Sequence, residues 1–217
     1  IMDTCSTTGD HHLGGADWDR VIVDYALEKI GTSFEALDAR ERGMMMLAAE
    51  ECKQNLTSQE KTTLTFAYRG VQNVEITRSE FESRTAMLME RTMLLVDEAL
   101  ELANLSISQI DEIILVGGSS KMPMVKSAVE NKYGKTPKLC DPNLAVAKGA
   151  ALMAFQKAKG GVSRGIILRH DKGSRAYGMQ TYRNSTDLCV CNLIMRNDDL
   201  QIHKEFDSFS TLEDGQT

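Results

Sequence analysis

Apolar residues recur at helical spacing through much of this chain. The first such stripe predicts a helix over about residues 18–30, and it consists of Trp18, Val21, Ile22, Tyr25 and Ile30. A second helix is predicted over about residues 40–55. A capping box of Thr77 and Glu80 begins a third helix that continues through Leu88, and a fourth follows.

Strand patterns lie between these helices. Residues 62–67 and 71–76 flank an Arg69-Gly70 turn and predict a β-hairpin. Residues 113–116 form a continuous aliphatic run, which predicts a buried strand. Because strands alternate with helices, the pattern favours an α/β sheet. Beyond residue 165 the pattern changes to strands alone.

The buried strand leads into a glycine turn and a helix. Gly117 and Gly118 lack a Cβ and allow a ligand to approach the backbone closely. Ser119 and Ser120 are predicted to cap the following helix, and Pro123 suits its first turn. This arrangement is typical of phosphate sites, although tight packing alone also produces it.

Another helix is predicted further along the chain, over residues 144–159. Asp141 is expected to be its N-cap, with Pro142 at the first helical position. The glycine-containing stretch at residues 159–165 then loses periodicity and predicts a linker.

Composition and charge exclude several classes of function. The 217 residues carry a net charge of −6, which argues against a nucleic-acid-binding surface. No apolar run approaches the roughly 20 residues that cross a membrane. The five cysteines lack metal-ligand spacing and favour a reducing compartment. We therefore expect a cytoplasmic protein with no nucleic-acid or membrane partner.

Five motifs in order resemble one family. ILVGGSSKMP (residues 114–123) is similar to ILVGGSTRIP in the ATPase domain of heat-shock protein 70 (DnaK-type) chaperones. GDHHLGGADWD (9–19) is similar to that family's GDTHLGGEDFD, and DPNLAVAKGAA (141–151) to its NPDEAVAYGAA. AEECKQNLTS (49–58) resembles the family's adenosine-contacting helix, and VEITRSEFE (74–82) its strand-to-helix step. The chain is identified as a divergent member.

The resemblance implies a fold class and a domain plan. The fold is α/β: lobe II of an actin-like ATPase, with a mixed sheet, helices and an α+β subdomain, followed by a short β segment. NLIMRN (192–197) and FSTLEDGQ (209–216) resemble the start of the family's β-rich peptide-binding domain. The implied divisions are a IIA-like core (1–13 and 92–158), a IIB-like subdomain (14–91), an interdomain linker (159–172) and a truncated peptide-binding domain (173–217).

The resemblance also assigns nine residues to the adenosine side of an ATP or ADP site. These are Gly15, Glu50, Lys53, Thr57, Gly117, Gly118, Ser119, Lys121 and Asn143. Glu50 and Lys53 would bind the ribose, and Thr57 the adenine edge. Gly117 and Gly118 would line the α-phosphate and sugar side. Lys121 and Gln54 stand where the family often has Arg, and Asn143 where it has Asp, so weaker adenine binding is expected.

No catalytic residue is expected in this chain. By the resemblance, the phosphate-binding hairpin and catalytic Lys belong to a first lobe that the chain lacks. The acidic glycine-rich stretch that helps to place Mg²⁺ is lacking as well. Because phosphoryl transfer depends on positioning and charge stabilisation, we expect the chain alone to have no ATPase activity. Mg²⁺ is expected with the nucleotide, held by ligands outside this chain.

Three functions are compatible with the sequence. The first is a fragment of an ATP-dependent chaperone that binds and releases unfolded polypeptides, with a co-chaperone and a nucleotide-exchange factor as partners. The second is a non-enzymatic, chaperone-like scaffold that has lost nucleotide control. The third, another actin-like ATPase such as a sugar kinase or a segregation protein, is disfavoured by the β segment that follows residue 173.

Overall fold

Helices and short strands alternate along the chain, as the apolar spacing predicts. The computed structural model describes residues 2–158, 168–183, 187–200 and 205. The helices are α1 (Gly15–Lys29), α2 (Ala39–Ser58), α3 (Arg78–Arg84), α4 (Ala86–Leu102), α5 (Pro123–Tyr133) and α6 (Ala145–Ala158). The strands are β1 (Met2–Asp3), β2 (Lys61–Ala67), β3 (Val71–Thr77), β4 (Ile114–Leu115), β5 (Lys138–Leu139), β6 (Leu168–His170), β7 (Tyr177–Arg183) and β8 (Asp187–Ile194).

The main hydrophobic core lies where α1 and α2 pack with the β2–β3 hairpin. The hairpin confirms the predicted one, with Leu64 opposite Val74 in the antiparallel register. Alternate residues of both strands point into the core because side chains of a strand alternate between its faces. Ile22 and Leu27 of α1 are almost completely buried against them.

The break between α3 and α4 falls at Thr85, earlier than predicted. Thr85 is fully buried and its Oγ1 donates to the Phe81 carbonyl at 2.8 Å, so Leu88 belongs to α4. At the start of α3, the Thr77 hydroxyl accepts a hydrogen bond from the Glu80 N–H at 3.2 Å, which is one half of the predicted capping box. The Glu80 carboxylate accepts a further hydrogen bond from the Tyr25 hydroxyl at 2.9 Å, which ties α3 to α1.

A second, smaller core joins α4, α5 and the short parallel pair of β4 and β5. Met89, Met93 and Val129 form its centre, and Ile113 and Leu115 pack against them. The prediction of a buried strand over residues 113–116 is only partly correct, because alternate residues of this run are exposed. Ile114 is 55% exposed and Val116 is 43% exposed, because no described element covers the opposite face of β4.

Two predicted caps are also wrong. Pro123 begins α5 as expected, but the N-cap residue is Met122 rather than a serine. Ser119 and Ser120 lie in a 3₁₀ turn over Gly118–Lys121 that separates the glycine pair from α5. The Ser120 hydroxyl donates to the Gly117 carbonyl at 2.6 Å, so it closes this turn instead of capping the helix.

The predicted start of the last helix is displaced as well. Asp141 has a positive φ of 41°, and α6 begins at Ala145. Pro142 therefore lies in the turn before α6 and not at its first position. The Asp141 carbonyl accepts hydrogen bonds from the N–H groups of Leu144 and Ala145, at 3.0 and 2.9 Å, which links this turn to the helix.

The strands after residue 168 contact the beginning of the chain. β6 pairs in parallel with β1, and β7 and β8 form an antiparallel hairpin. The Thr7 N–H donates to the Asn197 side-chain oxygen at 2.8 Å, and Arg196 forms an ion pair with Glu98 of α4 at 3.1 Å. The FSTLEDGQ segment (209–216) lies outside the described residues, and so does the first part of the predicted linker (159–167).

The Arg196 contact gives a first prediction. Replacing Arg196 by Ala is expected to loosen the β1–β6 pairing by at most about 1 kcal/mol, because that is the upper value for partly exposed ion pairs. Hydrogen exchange should show faster exchange of β6 amides, while the β7–β8 hairpin stays protected. Arg69→Ala, at the remote turn of the β2–β3 hairpin, is the matched control. Unchanged β6 exchange in Arg196→Ala would contradict the prediction.

Candidate functional site

A cleft of about 650 Å³ lies between α1, α2, the Gly118–Lys121 turn and the turn before α6. Its size is within the range of pockets that hold small ligands. The lining residues are Gly15, Ala16, Asp19, Glu50, Lys53, Gln54, Thr57, Gly118, Ser119, Lys121, Met122 and Asn143. Eight of the nine residues that the sequence assigned to a nucleotide site are among them. They come from four separate parts of the chain.

Gly117 is the predicted site residue that does not line this cleft. Its N–H donates to the Pro142 carbonyl at 2.9 Å, so it holds the two turns of the cleft wall together. Its φ is +93°, a conformation that L-residues with a side chain rarely adopt. Gly117 therefore has a structural role at this site, and it is Gly118 that faces the cleft.

One wall of the cleft is a single face of α2. Glu50, Lys53, Gln54 and Thr57 are spaced three and four residues apart, which brings them to the same side of a helix. Glu50 is exposed to the cleft, and the Gln54 amide lies 3.5 Å from its carboxylate. The Thr57 hydroxyl donates to the Lys53 carbonyl at 3.3 Å, which leaves its lone pairs as acceptors.

Lys53 lies at the deepest part of this wall. Its ammonium is 2.7 Å from Asp19 Oδ1 and donates to the Gly15 carbonyl at 3.0 Å. The side chains of Lys53 and Asp19 are only 10% and 8% exposed. Burial raises the pKa of Asp19, and the hydrogen bond and charge of Lys53 work in the opposite direction. The pair connects α2 to the first turn of α1.

Sequence reasoning missed Asp19. A signal for it is present, because Asp19 lies between Trp18 and Ile22 within the apolar stripe of α1. A buried carboxylate requires a partner of opposite charge or hydrogen-bond donors. The sequence does not say which cation is that partner, since Lys53 is 34 positions away and on another helix.

Gly15 occupies a narrow junction between the walls of the cleft. A Cβ at this position would lie 2.9 Å from Ser119 Oγ and 3.2 Å from Lys53 Nζ. Glycine therefore permits the start of α1 to approach both α2 and the Gly118–Lys121 turn. Lys121 and Asn143 complete the opposite wall. The cleft lining combines two carboxylates, two ammonium groups, two hydroxyls and two amides, which suits a polar ligand with hydroxyl groups.

The remaining candidate chemistry does not form a site in the described part of the chain. No group of three or more His, Cys, Asp or Glu residues there is arranged to hold a metal ion. Cys52 is on the buried side of α2, and burial raises the pKa of its thiol to about 12, so it is a poor nucleophile. Among the described helices, none is both long and apolar enough to span a bilayer.

The structure defines a mixed helix-and-strand protein with a polar cleft. All of the chain, residues 1–217, matches the family model described as Hsp70 protein. "Chaperone protein DnaK" of Mesomycoplasma hyopneumoniae (strain 7448) is 35% identical over 230 residues, which cover 99% of this chain and 36% of the relative. "Chaperone protein HscA homolog" of Paracidovorax citrulli is 32% identical over 219 residues, covering 100% and 34%. "Chaperone protein DnaK" of Halobacterium salinarum (strain ATCC 29341 / DSM 671 / R1) is 41% identical over 174 residues, covering 75% and 27%.

The chain belongs to the Hsp70 family. Its mixed helices and strands are consistent with the actin-like ATPase fold of that family. The chain spans about a third of the length of the curated relatives that it matches.

Proposed function

We propose that this chain carries the adenosine side of the nucleotide site of an ATP-dependent chaperone. The observation that carries the proposal is the cleft, which gathers eight of the nine assigned residues from distant parts of the sequence. The relatives of the chain that are described above are named chaperone proteins. In the proposed domain plan, residues 1–13 and 92–158 form the IIA-like core of lobe II and residues 14–91 the IIB-like subdomain. Residues 159–172 are the linker and 173–217 begin the peptide-binding domain.

The side chains of the cleft suit the parts of ADP or ATP. The Glu50 carboxylate accepts hydrogen bonds from ribose hydroxyl groups, and the Lys53 ammonium donates to them. Thr57 and Asn143 provide hydrogen-bonding groups for the edge of the base. Gly118 has no heavy atom within 4 Å of where a Cβ would lie, so a ligand can approach its backbone. The nucleotide supplies the hydrolysable phosphate bond, and Mg²⁺ would be held by groups from outside this chain.

The proposal for the whole protein is that ATP hydrolysis controls the binding and release of unfolded polypeptides, with a co-chaperone and a nucleotide-exchange factor as partners. This chain alone is proposed to have no ATPase activity. The pairing of β6 with β1 and the ion pair of Arg196 with Glu98 support this proposal, because they join the proposed linker and peptide-binding segment to the proposed IIA-like core.

A second candidate is a chaperone-like scaffold that does not depend on nucleotide. One observation favours it: none of the twelve described residues that line the cleft is aromatic or Arg. An adenine ring would have no flat or guanidinium group to stack on, and stacking contributes substantially to base binding. Lys121 and Gln54 offer charge and hydrogen bonds instead.

Calorimetric titration of the full-length protein with ADP separates these candidates. We expect saturable binding, and we expect Glu50→Ala to weaken it about tenfold or more, because a hydrogen bond to a charged group contributes roughly 1.5–3 kcal/mol. Glu51→Ala is the matched control. Glu51 is also an exposed carboxylate, on the next residue of α2, but it does not line the cleft.

The outcomes are distinct. Wild-type binding that Glu50→Ala weakens and Glu51→Ala does not would support the nucleotide site. No ADP binding by the full-length protein would support the scaffold. Equal losses in both variants would mean that the carboxylates act through the general charge of α2 and not through contact with the ligand.

A further inference from the structure

We infer that Asp19 is a positioning residue for nucleotide binding, which it assists by holding the Lys53 ammonium towards the sugar of the ligand. The inference rests on the proposed function and adds a residue that the family resemblance did not assign. Asp19 does not need to touch the ligand in this role. Its effect passes through Lys53.

The geometry of Lys53 supports this role. An ammonium group has three N–H donors and no acceptor. The ammonium forms an ion pair with Asp19 Oδ1 at 2.7 Å and donates a hydrogen bond to the Gly15 carbonyl at 3.0 Å. Lys53 also lines the cleft, so its side chain borders the space that a ligand would enter. The ammonium is therefore fixed in position before a ligand arrives, and less side-chain entropy is lost on binding.

Burial makes Asp19 necessary for this position. A lysine side chain is long and flexible, and without a partner its charge leaves a buried site for water. Glu50 is one helical turn from Lys53 but is exposed and lies beside Gln54, so it does not replace the buried carboxylate. The Asp19 side chain is only 8% exposed. The Lys53 ammonium that pairs with it is therefore kept at the base of the cleft.

Gly15 completes the arrangement. Its carbonyl and Asp19 belong to the first turns of α1, so both partners of the ammonium come from one rigid element. The close approach of Gly15 to Lys53 and Ser119 sets the distance between α1 and the other walls. Asp19 thus fixes the Lys53 side chain relative to the whole of α1.

Two ligands distinguish positioning from a general structural role. The full-length protein and its Asp19→Asn variant are titrated with ADP and with 2′,3′-dideoxy-ADP, which lacks the sugar hydroxyls. We expect Asp19→Asn to weaken ADP binding about ten- to a hundredfold, the value of a hydrogen bond to a charged group. Binding of the dideoxy ligand should change by about twofold or less, the usual error of additivity between independent sites.

A variant with both charges removed controls for the possibility that Asp19→Asn unfolds the protein. Asp19→Asn alone leaves a buried ammonium unpaired, whereas Asp19→Asn/Lys53→Met leaves no buried charge. If Asp19 acts through Lys53, the double variant should show the same reduced discrimination between ADP and the dideoxy ligand as Asp19→Asn. Circular dichroism and thermal melting check that each protein is folded before titration.

The results that overturn the inference differ from those that overturn the proposed function. Wild-type protein that does not bind ADP would overturn both. Wild-type binding that does not distinguish the two ligands would overturn the inference alone. The inference alone would also be overturned if Asp19→Asn weakened the binding of both ligands equally, as a structural defect would. It would likewise be overturned if the double variant discriminated less between the ligands than Asp19→Asn, because Lys53 would then act without Asp19.

Discussion

Gly118→Val is expected to weaken ADP binding by the full-length protein about tenfold or more while its melting temperature stays unchanged. A Cβ at Gly118 meets no heavy atom within 4 Å and its φ is not positive, so the valine side chain enters open space. That space is the cleft. Filling part of a ligand site with a fixed side chain costs roughly 1–3 kcal/mol or more of binding free energy, which is about ten- to a hundredfold in affinity.

Gly117→Val is the matched control for this variant. Gly117 has a φ of +93°, so a β-branched residue there strains the backbone. We expect a lower melting temperature for Gly117→Val, since its site is structural and not part of the cleft lining. Calorimetry and thermal melting of both variants check the pair. Normal ADP affinity in Gly118→Val would place the nucleotide away from this cleft.

Lys53→Met is expected to destabilise the protein by about 3–5 kcal/mol at pH 7, because it leaves the buried Asp19 carboxylate without a partner. The pH dependence follows from the raised pKa of Asp19, which burial causes. A carboxyl group whose pKa is higher in the folded state binds a proton more tightly when folded. The contribution of Asp19 to the stability of the variant should therefore be most favourable below its unfolded pKa and be lost as the pH rises through its folded pKa. Urea denaturation at pH 5 and pH 7 measures the difference.

The control for that variant is an ion pair of similar length on the surface. Lys61 and Glu75 are 3.0 Å apart across the β2–β3 hairpin, but their side chains are 66% and 57% exposed. Lys61→Met should cost at most about 1 kcal/mol, with no recovery at pH 5. A similar cost for Lys53→Met and Lys61→Met at pH 7 would show that Asp19 is not stabilised by Lys53.

Local patterns predict much of this fold. The apolar stripe of α1 and the alternation in the β2–β3 hairpin each indicate one buried face. The strands of the hairpin form within one residue of the predicted bounds, and α1 within three. Caps were harder to predict. Ser120 and Asp141 are good capping residues, but the backbone turns that precede α5 and α6 use them in other ways. A short polar side chain serves a turn as well as it serves a helix end.

Burial of β4 could not be read from its composition. Its aliphatic run predicts two covered faces, whereas only the side of Ile113 and Leu115 packs against described residues. In the candidate site, too, some features are predictable from local sequence and others are not. Glu50 and Lys53 are recognisable by helical spacing and family motif, but the partnership of Lys53 with Asp19 depends on how α1 crosses α2. Pairings between distant elements are a property of tertiary structure and carry no local sequence signal.

The parallel pairing of β1 with β6 has a consequence for the order of folding. The hairpin of β2 and β3 joins neighbouring residues, whereas Thr4 and Asp171, next to the β1–β6 pair, are 167 positions apart. Closing so long a loop costs much chain entropy before any contact forms. We expect the pairing to be the last contact to form and the first to open, as a separate cooperative unit. Excursions that release β6 can then occur while the cleft between α1 and α2 stays intact.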